Sequence, residues 1–69
     1  MEILKKEVEK ILVIQTAFLG DAVLTLPMIQ KLKELDGNAL IDILCISATK
    51  EIFQLSLDIN EIIPLLGIL

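Results

Sequence analysis

Apolar residues are arranged along the first half of the chain as one continuous run followed by a periodic stretch. Residues 10–15 (KILVIQ) are almost all aliphatic, which is typical of a strand buried on both faces of a parallel sheet. From Ala22 to Leu35 apolar residues recur every three positions, which predicts a helix of about three to four turns. Pro27 either kinks this helix or lies in its first turn, in which case the regular part begins near Thr25.

The same alternation continues in the second half. Residues 40–46 (LIDILCI) predict a second strand, and residues 47–49 a turn in which Thr49 is a suitable N-cap for a helix that runs to about Leu57. Residues 62–65 predict a third strand, shortened by Pro64. Strands that alternate with helices through short connections indicate an α/β fold: a Rossmann-like, three-stranded parallel βαβαβ unit with the strand order 3-2-1.

The first nine residues leave two interpretations open, because Leu4, Val8 and Ile11 fit one side of a helical turn and the lysines and glutamates fit a solvated extension. In either case residues 10–15 become an unpaired edge of the sheet. That edge has a lysine only at its start and neither proline nor a bulge. We therefore expect the isolated chain either to be unstable or to associate with other chains through this exposed sheet edge.

Composition excludes several kinds of function. The hydrophobic fraction of 55% is too high for a disordered chain. His and Arg are absent, which removes Ser/His/Asp triads, imidazole metal sites and bidentate phosphate clamps. A net charge of -4 has the wrong sign for nucleic acid. The lone Cys45 leans towards a reducing compartment and is most simply a buried apolar residue. No metal and no cofactor is predicted.

Membrane insertion is disfavoured. Residues 11–29 are almost free of charge, but Asp21 and Pro27 lie among them, and a carboxylate near the middle of a span costs a few kcal/mol. We therefore expect no transmembrane segment and a cytoplasmic location.

The candidate chemistry lies in the loop that follows the first strand, because open α/β sheets bind ligands at the carboxyl ends of their strands. Residues 16–21 form neither a GxGxxG fingerprint nor a P-loop. Their one carboxylate, Asp21, is either a helix N-cap stabilised by the helix dipole or a catalytic group. Asp42, which alternates with isoleucines, is more simply a strand-edge or solvent-facing carboxylate than a ligand.

Residues 10–34 (KILVIQTAFLGDAVLTLPMIQKLKE) resemble the opening of glycosyltransferase family 9, the lipopolysaccharide heptosyltransferases. The most specific part is Leu19-Gly20-Asp21 with Thr25 and Pro27. Residues 41–44 (IDIL) and 57–65 (LDINEIIPL) resemble the second and third strands of that family at the correct spacing.

This resemblance implies an inverting GT-B enzyme that transfers heptose from the nucleotide sugar ADP-heptose to the inner core of lipopolysaccharide, in the cytoplasm or peripherally at the inner membrane. Asp21 is then the general base on the acceptor hydroxyl, and Thr16, Ala17 and Gly20 are the predicted substrate-binding residues. From the sequence alone, the Thr16 hydroxyl fits a bond to the local backbone equally well. Many relatives carry a cation in this loop, whereas residues 15–18 offer none, which puts contacts to acidic groups of the acceptor in doubt.

The short length modifies that expectation. Ordering 69 residues costs on the order of 100 kcal/mol of conformational entropy, which a core this small barely offsets. The resemblance implies that residues 1–9 are an extension and residues 10–69 part of an N-terminal domain, without the donor-binding domain. We therefore expect a truncated transferase that is inactive alone. Two alternatives stay open: a small α/β module that binds a nucleotide or a partner without catalysis, and a short interaction protein that completes the sheet of another chain.

Overall fold

A computed structural model describes residues 2–7 and 10–65. Residues 1, 8 and 9 of the predicted extension and residues 66–69 of the predicted domain lie outside the described part. The elements, in chain order, are β1 (Glu2–Glu7), β2 (Lys10–Gln15), α1 (Leu19–Leu35), β3 (Leu40–Cys45), a 3-10 turn (Ser47–Thr49), α2 (Lys50–Gln54) and β4 (Ile59–Pro64).

The four strands form one sheet in the order β1-β2-β3-β4. β2 pairs with β3 and β3 with β4 in parallel, whereas β1 pairs with β2 antiparallel. The predicted α/β class is confirmed. The sheet is nevertheless a four-stranded mixed sheet rather than a purely parallel, three-stranded one, because the N-terminal residues add a strand.

Both interpretations of the N-terminal residues are wrong for Glu2–Glu7, which form a strand and neither a helical turn nor a solvated extension. The spacing of apolar residues suggested a helix, but the free edge of β2 offers backbone N–H and C=O groups that an adjacent segment can satisfy. β1 takes that place, with Ile3 opposite Val13. The expectation that β2 is an unpaired edge is therefore wrong as well.

The outer strands are instead β1 and β4, and each departs from regular pairing. The register of β1 shifts between Lys5 and Glu7, and the register between β3 and β4 shifts after Ile41. β4 also ends at Pro64, which has no N–H to donate. Such irregularities protect sheet edges against pairing with other chains.

Helix α1 begins earlier than either alternative predicted. Its first residue is Leu19 rather than Ala22 or Thr25, and Pro27 lies inside it. The Ala22 amide already donates to the Phe18 carbonyl at 3.1 Å. The sequence pattern was misleading because Gly20 and Asp21 interrupt the apolar repeat, although both residues fit a first helical turn, where backbone amides have no helical partner.

The remaining boundaries differ more modestly from those predicted. β3 ends at Cys45, α2 ends at Gln54 rather than near Leu57, and β4 begins at Ile59 rather than at residue 62. Thr49 occupies the N-cap position of α2, but its hydroxyl makes no cap bond. It donates instead to the Ile46 carbonyl at 3.2 Å.

The core lies on one face of the sheet. β2, β3 and β4 follow one another in the same direction, so crossovers of one hand place α1 and α2 on the same side. Every second residue of β2 and β3 on that side is buried against the two helices. The buried strand residues are Ile11, Val13, Ile41, Ile43 and Cys45, and the buried helix residues are Ala22, Ile29 and Phe53.

The opposite side of the sheet is covered by neither helix. We name it the open face, and its apolar residues are Leu12, Ile14, Leu40, Leu44 and Ile63, of which Leu40 is exposed and the others are half-buried. Among the residues that the structure describes, no helix is both long and apolar enough to cross a membrane.

Candidate functional site

The loop from β2 to α1 crosses the carboxyl edge of the sheet, where the sequence predicted the site. Thr16, Gly20 and Asp21 are exposed there, and Ala17 is half-buried. The structure thus places Thr16 and Ala17 in the short connection that follows β2, and Gly20 and Asp21 in the first turn of α1.

A buried hydrogen-bonded pair lies directly beneath this loop. Gln15, the last residue of β2, is 6% exposed, and Thr25, in the second turn of α1, is 3% exposed. Gln15 Nε2 donates to Thr25 Oγ1 at 2.9 Å. We refer to Gln15 and Thr25 as the polar anchor.

The polar anchor is bonded to the backbone on both sides of the loop. Gln15 Oε1 accepts from the Ala17 amide at 3.1 Å, and Thr25 Oγ1 donates to the Asp21 carbonyl at 2.6 Å. Two side chains therefore connect the strand end, the loop and the first turn of the helix. This arrangement holds the backbone of Asp21 relative to β2.

Sequence reasoning assigned no role to Gln15 and no contact to Thr25. A signal was present, since Gln15 follows Ile11 and Val13 at strand spacing and must share their buried face. A buried carboxamide requires partners, and the polar residue of the facing helix one turn after Asp21 is Thr25. The period of two along the strand and the period of 3.6 along the helix, taken together, could therefore have predicted the contact between Gln15 and Thr25.

Asp21 is the third residue of α1, so the predicted N-cap role is wrong in position. Phe18 is the N-cap residue and makes no side-chain cap bond. A carboxylate in the first turn is still favoured by the helix dipole, by roughly 0.3 to 1 kcal/mol. Phe18 and Leu24, three residues before and three after Asp21, are large apolar residues that are 79% and 73% exposed.

Gly20 has no visible structural reason to be glycine in this chain. Its φ is not positive, and a Cβ built at this position would meet nothing within 4 Å. Glycine inside a helix is less favourable than alanine by about 0.8 to 1 kcal/mol. The missing side chain leaves room beside Asp21 that the described fold does not use.

Two other residues singled out from the sequence belong to β3: Cys45, which pairs with Gln15 beside the loop, and Asp42. Cys45 is fully buried, as predicted. Burial raises the pKa of its thiol, and a Thr49 side-chain hydrogen bond and the Lys50 charge lower that pKa by less. Asp42 belongs to an inner strand, so the strand-edge interpretation is wrong, whereas the solvent-facing interpretation is correct. Its side chain lies on the open face, where its Oδ1 accepts from Asn60 Nδ2 at 2.9 Å in an exposed hydrogen bond.

The surroundings of Asp21 are open rather than enclosed. A cleft of about 340 Å³ is lined by Leu26, Pro27, Gln30 and residues 55–58, and Asp21 is not among its walls. In the part of the chain that the structure describes, no group of three or more Cys, Asp or Glu side chains is placed to hold a metal ion.

Comparison with known proteins adds no relative: no protein family model, no curated protein and no solved structure matches the chain. The fold defines it as a small α/β domain with a mixed sheet. Any narrower assignment rests on the residues themselves.

Proposed function

We propose that this chain forms the acceptor-binding side of an inverting sugar transferase similar to the lipopolysaccharide heptosyltransferases, with Asp21 as its general base. The observation that carries the proposal is the exposed Asp21 carboxylate in the first turn of the helix that follows a parallel strand. It lies within the Leu19-Gly20-Asp21 segment on which the family resemblance depends. ADP-heptose and the lipopolysaccharide core are the proposed donor and acceptor.

The reaction requires few protein groups. The acceptor hydroxyl oxygen forms a bond to the anomeric carbon while the bond from that carbon to the nucleotide diphosphate breaks, and its electron pair leaves with the diphosphate. The hydroxyl proton passes to the Asp21 carboxylate. A positioned base of this kind contributes ~10² to 10⁴-fold to the rate.

Three features of the loop support this role. The polar anchor holds the backbone of Asp21, and a base must be held in place to be effective. Gly20 keeps the adjacent surface free of a side chain without a reason within the fold. The open surroundings of Asp21 suit a large acceptor and a donor domain that closes over it.

The test is a fusion in which residues 1–69 replace the corresponding N-terminal segment of a lipopolysaccharide heptosyltransferase. Heptose transfer from ADP-heptose to the lipopolysaccharide acceptor is followed by mass spectrometry. Asp21→Asn is expected to lower turnover by at least ~10²-fold with little change in donor binding. The matched control is Glu34→Gln, which removes an exposed carboxylate from the same helix.

A fusion that transfers heptose equally well with Asp21→Asn would show that Asp21 is only a helix-terminal charge. A folded fusion that binds ADP-heptose through its donor-binding domain but does not transfer heptose would refute the proposed catalytic role of this chain.

Gly20→Ala separates fold from function at the same loop. The fold should tolerate or favour alanine, because nothing lies near the added Cβ. The proposal therefore expects unchanged or higher stability together with weaker acceptor binding. Full acceptor affinity in this variant would remove Gly20 from the site.

A further inference from the structure

The open face combines an apolar centre with an excess of negative charge. Leu12, Ile14, Leu44 and Ile63 are its half-buried aliphatic residues. Asp42 lies among them on an inner strand, and Glu61 is its register neighbour on β4.

Further charged groups lie at the margins of this face. Glu2 is opposite Ile14 and shares its side of the sheet, and Lys10 is beside Leu40. Among the residues whose side chains the structure describes, this face therefore carries three carboxylates, those of Glu2, Asp42 and Glu61, and one ammonium group, that of Lys10.

The one hydrogen bond that the structure shows for the Asp42 carboxylate comes from a neutral side chain. Asn60 Nδ2 donates to Asp42 Oδ1 at 2.9 Å, and this bond leaves the negative charge in place. Among the side chains that the structure describes, those of residues 2, 3 and 10–65, the one ion pair joins Lys31 and Glu34 on α1, at 3.9 Å. Any surface that covers Asp42 must supply a positive group, because a buried charge without a partner is strongly unfavourable.

We propose that the open face docks a basic amphipathic α-helix of a partner polypeptide, with apolar residues against Leu12, Ile14 and Leu44 and with Lys or Arg side chains directed to Asp42 and Glu61. Parallel strands are normally covered by helices on both faces, and here both helices lie on one. The proposal does not depend on the proposed enzymatic function.

Size and charge favour a helix over a second copy of this chain. Four strands about 4.8 Å apart and six residues long present a projected area of roughly 400 Å², about half of the ~800 Å² per partner of a stable dimer. A helix of about 13 residues is about 20 Å long and 10 Å wide, so it covers roughly half of this area, along the apolar centre. Two copies placed face to face would also bring their carboxylates together.

The experiment uses the full 69-residue chain and two fluorescein-labelled 14-residue helical peptides with the same leucine stripe. One peptide carries lysines on its flanks and the other carries glutamates at the same positions. Binding is measured by anisotropy. The lysine peptide is expected to bind at least ~10-fold more tightly than the glutamate peptide, because exposed charge pairs act together over this interface.

Substitutions locate the binding. Asp42→Asn and Glu61→Gln are each expected to weaken the lysine peptide by about threefold, and Glu34→Gln, on helix α1, should leave it unchanged. Glu61 is exposed, so its variant tests the proposal even if Asp42→Asn disturbs the fold.

Equal weakening by Glu34→Gln would mean general attraction to an acidic chain and would overturn the proposal. A chain that sediments as a dimer and binds neither peptide would assign the open face to a second copy, which would also overturn it.

Discussion

The polar anchor makes a sharp prediction about stability. Thr25→Val keeps the shape of the side chain but removes the hydroxyl that accepts from Gln15 Nε2 and donates to the Asp21 carbonyl. The Asp21 carbonyl belongs to a helix and keeps its backbone partner, whereas the buried Gln15 donor is left unsatisfied. Leaving such a group unpaired costs roughly 1 to 3 kcal/mol, a large part of the ~3 to 5 kcal/mol that a core of this size supplies.

Urea unfolding followed by far-ultraviolet circular dichroism measures this loss, since the chain has neither Trp nor Tyr as a fluorescent probe. With a slope near 1 kcal/mol per molar urea, the midpoint should fall by about 1 to 3 M. Thr16→Val is the matched control, because Thr16 is exposed, and it should change stability by less than about 0.5 kcal/mol.

The double variant Gln15→Leu with Thr25→Val completes the argument. Removing both partners leaves no unsatisfied side-chain donor, so the double variant should be more stable than the sum of the single losses predicts, by about 1 kcal/mol or more. Strictly additive losses, or a Thr25→Val variant as stable as the unchanged chain, would refute the anchor as an energetic unit.

Three further predictions concern the core, the helix and the thiol. Ile29→Ala, at a fully buried position, should cost about 2 to 5 kcal/mol and abolish the cooperative thermal transition, whereas Leu24→Ala, at an exposed one, should preserve it. Pro27→Ala should raise the free energy of unfolding by about 1 to 2 kcal/mol. A proline inside a helix costs ~3 kcal/mol, but alanine leaves the unfolded chain more conformational entropy, which offsets part of that gain. An unchanged melting temperature would contradict this prediction. Burial raises the pKa of the Cys45 thiol, so the folded chain keeps this thiol neutral at a pH where the unfolded chain ionises it. The contribution of the neutral thiol to the free energy of unfolding is therefore complete below the ordinary thiol pKa of about 8.5, and it is lost as the pH rises through the folded-state pKa. Urea midpoints compared between pH 7 and 10 should fall less in Cys45→Ala than in the unchanged chain, and equal falls would argue against the shift.

Elements with a strong internal pattern could be predicted from the sequence. Lys10–Gln15 is a strand with the predicted bounds, and β3 is correct to within one residue. Continuous aliphatic runs carry this information locally. The α/β class followed from the alternation of such runs with a periodic helix.

Features that depend on distant partners could not be predicted in the same way. Glu2–Glu7 forms a strand because β2 offers an edge, and its own residues also fit a helical turn. The start of α1 was missed because Gly20 and Asp21 disrupt the apolar repeat without disrupting the helix. At the site, the position of Asp21 was predicted, but the buried partners beneath the loop depend on a contact between a strand end and a helix turn ten residues away.

The strand order of the sheet is the same as the order of the strands along the chain. During synthesis, each strand therefore leaves the ribosome when the neighbour that it pairs with has already emerged. No strand has to be inserted between two others that have joined, and no earlier pairing has to open. The topology permits the sheet to grow from one end, strand by strand, at the pace of translation.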